Sequence, residues 1–396
     1  MGIRCGRVLA LAAITVVATG AAAPPHWVAS WGASLVEIAP ASTGQYDQQT
    51  LRTVLHISAG GSAMRLRISN EYGQSSLGLG SVHIAVSAGK SNIVPGTDQV
   101  VTFSGATGVN VPAGAMAVSD PIRAGVPGGM NMTVSLYVTH TGLISEHVWA
   151  LQTIYIADGD QTGAANLGGA TQIQSRPFLA GLDVLGAPAA ASVVALGDSI
   201  TDGFWSNGNE NDRWPDLLAA RLRGAYRNRV GVVNAGIAGN TLLGNGGPTA
   251  SGRFISDVVA EPGRRWVMMM IGINDIGETE SDPGAAPSLA ALIAADRQMI
   301  ARAHDAGLKI IGMTLLPFQG AGYYSPAGEA KREALNDFIR NSGEFDGVVD
   351  SDAAVRDPAH PRRYLPIYDS GDHLHPSEAG MQAIADCVNL ALFAAP

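Results

Sequence analysis

A serine and a histidine that lie far apart in the sequence have neighbours suited to acyl transfer. Ser199 stands in "GDSITDG", and His375 ends "DHLH", which begins with Asp372. A serine hydroxyl becomes an effective nucleophile when a base takes its proton and a third group orients that base. Around a turn, the carboxylate of Asp372 can reach Nδ1 of His375 and leave Nε2 free for Ser199. The three residues therefore predict a Ser-His-Asp triad, with Asp369 as the less favoured alternative for the acid.

The negative charge that develops on an attacked carbonyl oxygen requires preorganised hydrogen-bond donors. Three donors are candidates: the backbone N–H of Ser199, the backbone N–H of Gly239 and the side-chain amide of Asn274. Gly236 is a rival donor in the same segment, "NAGIAGNT". A turn that requires positive φ is another reason for Gly239, and Asn274 can be a turn asparagine instead.

Alternating strands and helices are predicted from residue 192 onward. Strand candidates are "VVAL", "VGVVNA", "RWVMMMIG", "KIIGMTLL" and "GVVD". Helices are predicted in "DRWPDLLAARLRG", around "FISDVVAE", over 288–306, in "AGEAKREALNDFIR" and from Pro376 onward. This alternation predicts an α/β fold with a parallel sheet and helices on both faces. Ligands of such sheets bind at the carboxyl ends of the strands, which is where the candidate residues stand.

The first half of the chain has a different pattern. Short alternating segments such as "AMRLRISN", "SVHIAVSA" and "MNMTVSLYVTH" are separated by Gly, Pro, Asn and Ser. They predict an all-β sandwich or jelly roll over residues 26–186. The small and uncharged segment "VLGAPAAAS" is interpreted as a linker to a catalytic domain over 192–396.

The N-terminus has the pattern of a secretory signal peptide. Arg4 and Arg7 precede the apolar stretch 8–17, and the small residues of "ATGAAAPP" follow. We expect residues 1–23 to be cleaved and the protein to be secreted or periplasmic. The remaining chain would keep Cys387 alone, without an internal disulfide, and its apolar neighbours predict that Cys387 is buried.

Composition limits the classes of partner. The chain of 396 residues is 46% hydrophobic and 15% charged, as expected for globular domains. Its net charge is −9 and no Lys/Arg run exceeds two residues, which argues against nucleic acid as a partner. No stretch beyond the N-terminus is long and apolar enough to predict a transmembrane segment. Oligomeric state is left open.

The segments that carry these residues resemble the SGNH hydrolases, also called GDSL esterases, a family named for a Ser, a Gly, an Asn and a His in four blocks. The matching residues occur in that order as Ser199, Gly239, Asn274 and His375, with Asp372 beginning the Asp-x-x-His. The first block has Ile where the family's alternative name has Leu. The resemblance covers about half the chain, implies a flavodoxin-like three-layer fold and ester hydrolysis, and favours Gly239 over Gly236.

The sequence thus predicts a secreted serine esterase that hydrolyses carboxylic esters with short acyl chains, acetyl groups on carbohydrates among them, through an acyl-enzyme. The substrate would be a small-molecule or polysaccharide ester. Alternatives are a lipolytic esterase or an acyltransferase that uses the same site. A further alternative is a polysaccharide-binding protein with a degenerate hydrolase domain.

Other polar residues near the candidates have structural interpretations. Asp198 and Asp275 are expected to hold loops through hydrogen bonds. His373 and His375 together suggest a His-x-His metal pair, but no third ligand stands at a recognisable spacing. No metal and no cofactor are predicted.

Tryptophans offer a second set of candidates. Trp205 and Trp214 lie close to the serine in sequence and suit either a substrate pocket or packing. Trp27, Trp31 and Trp149 of the first half suit sugar-stacking platforms, although core or inter-domain contacts are the favoured interpretation.

Overall fold

A computed structural model of the chain describes residues 1–2, 25–37, 46–142, 144–244, 248–281 and 286–394. The predicted signal peptide, residues 1–23, lies almost entirely outside them. Within these ranges, every helix is too short or too polar to cross a bilayer.

The N-terminal half consists of short strands, as its alternating sequence predicts. Their bounds are β1 Trp27–Gly32, β2 Val36–Glu37, β3 Gln49–His56, β4 Met64–Asn70, β5 Leu77–Gly89, β6 Asn92–Ile93, β7 Gln99–Val100, β8 Val109–Val111, β9 Ala115–Val118, β10 Asn131–His140, β11 Ser145–His147, β12 Ile154–Asp158, β13 Thr171–Ile173, β14 Arg176–Pro177 and β15 Leu179–Leu185.

These strands pair in antiparallel fashion. One sheet has the order β1-β15-β4-β9 and a larger one the order β13-β12-β3-β10-β5-β6, with β7 and β8 also on β5. A small third sheet, β14-β11-β2, carries His147 at the end of β11. Apolar side chains of the two larger sheets meet in one buried core, which includes Leu55, Leu66 and Val134.

The C-terminal half alternates strands and helices. Its strands are β16 Ala191–Gly197, β17 Val230–Gly236, β18 Arg264–Met270, β19 Lys309–Met313, β20 Gly347–Val349, β21 Arg356–Asp357 and β22 His360–Tyr364. Its helices are α1 Ser199–Asp202, α2 Trp214–Tyr226, α3 Ile273–Ser281, α4 Leu289–Asp305, α5 Pro326–Asn341, α6 Ser351–Val355 and α7 Glu378–Cys387, with a π-helical turn at Ile255–Val259 and 3-10 turns at Pro366–Tyr368 and Leu390–Phe393.

The main sheet of this half has the order β17-β16-β18-β19-β20 with every pair parallel. Numbered within the half, this is the flavodoxin-like order 2-1-3-4-5, which confirms the expected fold class. The sheet is buried among α2 and α7, which contact each other, and α4 and α5, which form a second pair. The order reverses beside β16, so the strand that leads to Ser199 lies at the topological switch point.

Three sequence expectations differ from the structure. The helix expected around "FISDVVAE" is a single π-helical turn, while α3, which begins inside "GIND", was not predicted. Cys387 is exposed rather than buried, because it lies at the last residue of α7 and on its outer side. The apolar neighbours that suggested burial occupy the inner side of that helix, at Ile384 and Ala385.

The two halves are packed closely. Only residues 186–190 separate β15 from β16. Ala33 forms a bridge with Asn234 on β17, the edge strand of the parallel sheet. The buried Ser58 hydroxyl accepts a hydrogen bond from the backbone N–H of Val232 at 2.8 Å.

A buried ion pair also joins the halves. The guanidinium of Arg67 on β4 donates to both carboxylate oxygens of Glu261, at 2.8 and 2.6 Å, and to Asp183 at 3.1 Å. A bidentate pair of this kind fixes geometry as well as charge.

Candidate active site

Ser199, His375 and Asp372 form a continuous hydrogen-bonded chain. Ser199 is the first residue of α1, directly after β16, and its Oγ lies 2.8 Å from Nε2 of His375. Nδ1 of His375 lies 2.7 Å from Oδ2 of Asp372, as the three-residue spacing predicted. Ser199 and His375 are both 7% exposed, so solvent competes little for this contact. The arrangement can transfer a proton from the serine to the histidine and stabilise the charge that results.

The carboxylate of Asp372 accepts several further hydrogen bonds. Its Oδ1 accepts from the backbone N–H groups of Leu374 and His375, each at 2.9 Å. Its Oδ2 also accepts from the indole N–H of Trp205 at 2.7 Å. Burial acts to raise the pKa of Asp372, but the hydrogen bonds from His375 and Leu374 outweigh it and hold this pKa well below its usual range. The group therefore stays ionised beside the imidazole.

Asp369, the alternative acid, faces another residue. Its Oδ2 lies 2.6 Å from Nδ1 of His373, and its Oδ1 accepts from the backbone N–H groups of Gly371 and His373. The two histidines of "DHLH" thus have separate carboxylates, and the His373 side chain is half exposed. Within the described ranges no three His, Cys, Asp or Glu residues are grouped so that they could hold a metal ion.

The three predicted oxyanion donors differ in how they are held. The Ser199 N–H stands at the first helical position, where an N–H has no acceptor within the helix. Gly239 has φ +75°, and a Cβ there would meet no atom within 4 Å, so backbone conformation rather than space requires glycine. The N–H of Gly236, in contrast, already donates to Oδ1 of Asn234 at 2.9 Å. No hydrogen bond within the described part of the chain uses the N–H of Gly239, which makes it the better candidate donor of the two glycines.

The amide of Asn274 is oriented by two neighbours. Its Nδ2 donates to the carbonyl oxygen of Asn240 at 2.8 Å, and its Oδ1 accepts from the hydroxyl of Tyr323 at 3.2 Å. Because Nδ2 carries two hydrogens, one remains for a substrate oxygen.

Asp198 and Asp275 hold backbone segments, as expected. Oδ1 of Asp198 accepts from the N–H of Ile200 at 3.0 Å and caps α1. Burial raises the pKa of Asp198 to about 7. Asp275, fully buried, accepts from three consecutive N–H groups, those of residues 242–244. These bonds fix the loop that follows Gly239.

Arg253 is a buried organiser of the site that no local sequence pattern indicated. Its guanidinium donates to the carbonyl of Gly197 at 2.9 Å and to that of Ala235 at 2.7 Å. It also donates to Oδ1 of Asn240 at 3.0 Å and to the hydroxyl of Ser34 at 3.0 Å. One side chain thereby joins the end of the serine strand, the loop that carries Gly239 and the N-terminal half.

A histidine of the N-terminal half reaches the same loop. Nε2 of His147 lies 3.0 Å from Oδ1 of Asp202, the last residue of α1, and its Nδ1 lies 2.8 Å from the carbonyl oxygen of Ser34. The other oxygen of Asp202 accepts from the N–H of Ala238 at 3.0 Å. Both side chains of this pair are at most 8% exposed. The pair therefore connects β11 to the residue next to Gly239.

Aromatic rings lie beside His375, the middle residue of the hydrogen-bonded chain. The ring of Phe204 lies 4.8 Å from that of His375 and contacts Trp149 at 5.6 Å and Trp205 at 5.4 Å. Trp149 is 47% exposed and Trp205 57% exposed, so both present ring surface beside the site. Trp214 is fully buried and serves packing, which decides between the two interpretations of that residue.

The other tryptophans of the N-terminal half are not at the site. Arg65 lies over the ring of Trp27 at 4.5 Å, and Arg176 lies over the ring of Trp31 at 4.8 Å. These are structural cation-π contacts, in accord with the favoured interpretation.

A cleft of about 510 Å³ lies between the halves beside the Gly239 loop. We call it the inter-half cleft. The N-terminal half lines it with Val36, Tyr72, His147, Val148 and Trp149, and the C-terminal half with Asp202, Ile237, Ala238, Asn240 and Pro248. No local sequence pattern indicated this cleft, because its walls come from segments as far apart as Val36 and Pro248.

Two of the comparisons with known proteins find similarity, one to a family model and one to solved structures. Residues 195–383 match the model of the GDSL-like lipase/acylhydrolase family, just under half of the chain. A comparison with curated proteins finds no match.

Among solved structures, similarity extends over about half of this chain. An alpha/beta hydrolase enzyme from the metagenome of Lake Arreo, Spain, is 26% identical with a TM-score of 0.41, over 52% of this chain and 95% of the other. An acetylxylan esterase from Geobacillus stearothermophilus is 22% identical with a TM-score of 0.40, over 53% of this chain and 98% of the other.

Proposed function

We propose that this chain, a carboxylic ester hydrolase by virtue of the GDSL-like lipase/acylhydrolase domain at residues 195–383, cleaves esters of short acyl groups through Ser199, His375 and Asp372. The observation that carries the proposal is the hydrogen-bonded chain from Ser199 Oγ to His375 to Asp372, with contacts of 2.8 and 2.7 Å. A nucleophile, a base and an orienting carboxylate in this order are the requirements for acyl transfer.

The reaction would proceed in two steps. Ser199 attacks the ester carbonyl while His375 accepts its proton, and the N–H groups of Ser199 and Gly239 together with the amide of Asn274 hold the oxyanion. His375 then gives its proton to the departing alcohol, which leaves an acyl-enzyme. Water, activated by the same histidine, attacks the acyl group and releases Ser199. Asp372, ionised throughout, stabilises the imidazolium in both steps.

Substrate class is proposed on different grounds. No long apolar segment resembling a lid occurs after residue 192, which favours short acyl groups over water-insoluble fats. The exposed rings of Trp149 and Trp205 suit a carbohydrate alcohol, because aromatic rings offer apolar area with a polar edge. We therefore take acetylated sugars as the leading substrates.

The test is hydrolysis of acetyl, butyryl and octanoyl nitrophenyl esters by the wild type and by Ser199→Ala. We expect activity that declines with acyl length and a loss on the order of 10⁶ in kcat for the variant, as for other serine nucleophiles. A matching unfolding curve for the variant would show that the fold is intact. Equal activity in both proteins would eliminate the proposed nucleophile.

Export is proposed from the sequence of residues 1–23 alone. N-terminal sequencing of the protein recovered from a culture medium or a periplasmic fraction would test it. An intact Met1 in that material would contradict cleavage.

A further inference from the structure

We propose that the inter-half cleft binds the alcohol part of the ester, a sugar ring or a disaccharide, with Trp149 and Tyr72 of the N-terminal half as its principal contacts. This inference rests on the proposed function, since it assigns a place to the group that Ser199 releases. It makes the N-terminal half a determinant of specificity.

The position of His375 indicates which part of the substrate lies there. The departing alkoxide must take its proton from Nε2 of His375, so the alcohol lies on the side of this ring. Phe204 packs on His375, and Trp149 packs edge-on against Phe204. Trp205 packs against Phe204 as well, so both exposed rings lie near an alcohol leaving His375, and Trp149 is the one that lines the cleft.

The size of the cleft also suits the alcohol. Its volume of about 510 Å³ falls in the range of pockets that hold drug-sized ligands. An acetyl group would leave most of this space empty, whereas a sugar unit or two would fill it. The cleft begins at Ala238, next to the proposed oxyanion donor Gly239, so one ester could reach both.

The lining has the chemistry of a sugar site. Val36, Val148 and Ile237 supply apolar surface, and Trp149 supplies a large ring that is 47% exposed. The hydroxyl of Tyr72 has no hydrogen-bond partner among the described residues, and burial raises its pKa to about 12, so it stays a neutral donor and acceptor. A pyranose ring offers both an apolar face for the tryptophan and hydroxyl groups for the tyrosine.

The experiment compares two ester series with the wild type, Trp149→Ala and Tyr72→Phe. In one series the acyl group is acetyl and the alcohol grows from methanol to a xylose-sized sugar and a disaccharide. In the other the alcohol is methanol and the acyl group grows from acetyl to octanoyl. The readout is kcat/KM for each ester.

We expect Trp149→Ala to lower the ratio of kcat/KM between disaccharide acetate and methyl acetate by about tenfold, and Tyr72→Phe to lower it by about threefold. Trp149→Phe, which keeps a ring, should restore part of the loss. Trp27→Ala is the matched control, because this tryptophan of the same half lies under Arg65 away from the cleft.

Other outcomes overturn the inference. Sensitivity of the variants to acyl length at constant alcohol would mean that the cleft holds the acyl chain. Unchanged ratios in both series would mean that the cleft binds neither part. Activity of the wild type that survives Ser199→Ala would instead refute the proposed function, and so the two failures are distinguishable.

Discussion

Each half of the molecule has its own buried core, but the two halves contribute differently to the site. Every group that we propose to react follows a strand or a helix turn of the C-terminal half. The N-terminal half supplies side chains that hold loops of the site, such as Ser34 and His147, or that line the inter-half cleft, such as Trp149. Parallel topology brings strand ends together at one edge and so concentrates chemistry there. The antiparallel half has no such edge, and its side chains reach the site from across the boundary between the halves.

The largest expected effect in this comparison concerns two aspartates of one loop. Asp372→Asn should lower kcat by about 10⁴, because an amide in place of the carboxylate favours the wrong tautomer of His375. Asp369→Asn is a matched control, since Asp369 bonds His373 instead. Steady-state hydrolysis of nitrophenyl acetate measures both. Similar losses in the two variants would show that the loop tolerates no change, and would remove the distinction between the acids.

Asn274→Ala should have the next largest effect. Losing one oxyanion donor costs about 10²–10³ in kcat. Tyr323→Phe removes only the hydroxyl that orients this amide, so its loss should be much smaller. The comparison uses kcat from saturation curves. A loss confined to KM in Asn274→Ala would mean that the amide binds substrate without stabilising the transition state.

The smallest of the three effects tests the N-terminal half. His147→Phe should lower kcat by about tenfold, because the Asp202 carboxylate would lose a partner and the Ala238–Gly239 backbone would shift. Small displacements of catalytic groups can lower the rate by up to about 10². His147→Gln, which can still donate to Asp202, should recover part of the activity. The split between kcat and KM is the readout.

His83→Phe provides the control for this prediction. Nδ1 of His83 lies 2.8 Å from Oδ2 of Asp98, and both residues belong to the N-terminal half. If both histidine variants lower the midpoint of thermal unfolding and neither changes kcat, His147 only joins the two halves. In that case the N-terminal half would stabilise the fold through His147 without positioning the catalytic groups.

Local patterns in the sequence predicted a large part of this structure. Apolar runs that alternate with helical periods identified the parallel sheet, and the polar residues after each run pointed to its carboxyl edge. Ser199, His375 and Asp372 came together because each lies just beyond such a run or in one short loop. The first half was predicted as all-β, and it is built of antiparallel strands, although its individual strands were not all placed.

Contacts between distant segments could not be predicted in this way. His147 and Asp202 are buried partners separated by 55 residues, and nothing near either one indicates the other. Arg253 stands just before a π-helical turn, yet its guanidinium donates to Ser34, Gly197, Ala235 and Asn240, which lie in separate segments of the chain. The exposure of Cys387 could not be predicted either, because it depends on which side of α7 packs against the rest of the domain. Contacts between side chains of different domains produce no periodic pattern in the sequence, unlike the apolar residues of a strand or a helix.

The bond between Ser58 and Val232 has a consequence for how the protein can be divided. β17 is the edge strand of the parallel sheet, and an edge strand that nothing covers exposes N–H and C=O groups that recruit other chains. Here a serine hydroxyl satisfies the Val232 N–H, and the carbonyl of Ala29 lies so near Gly231 that a Cβ there would approach it to 2.2 Å. If the C-terminal half were produced by itself, the backbone groups of the edge strand β17 would be exposed to solvent. We therefore expect that fragment to aggregate more readily than the full chain.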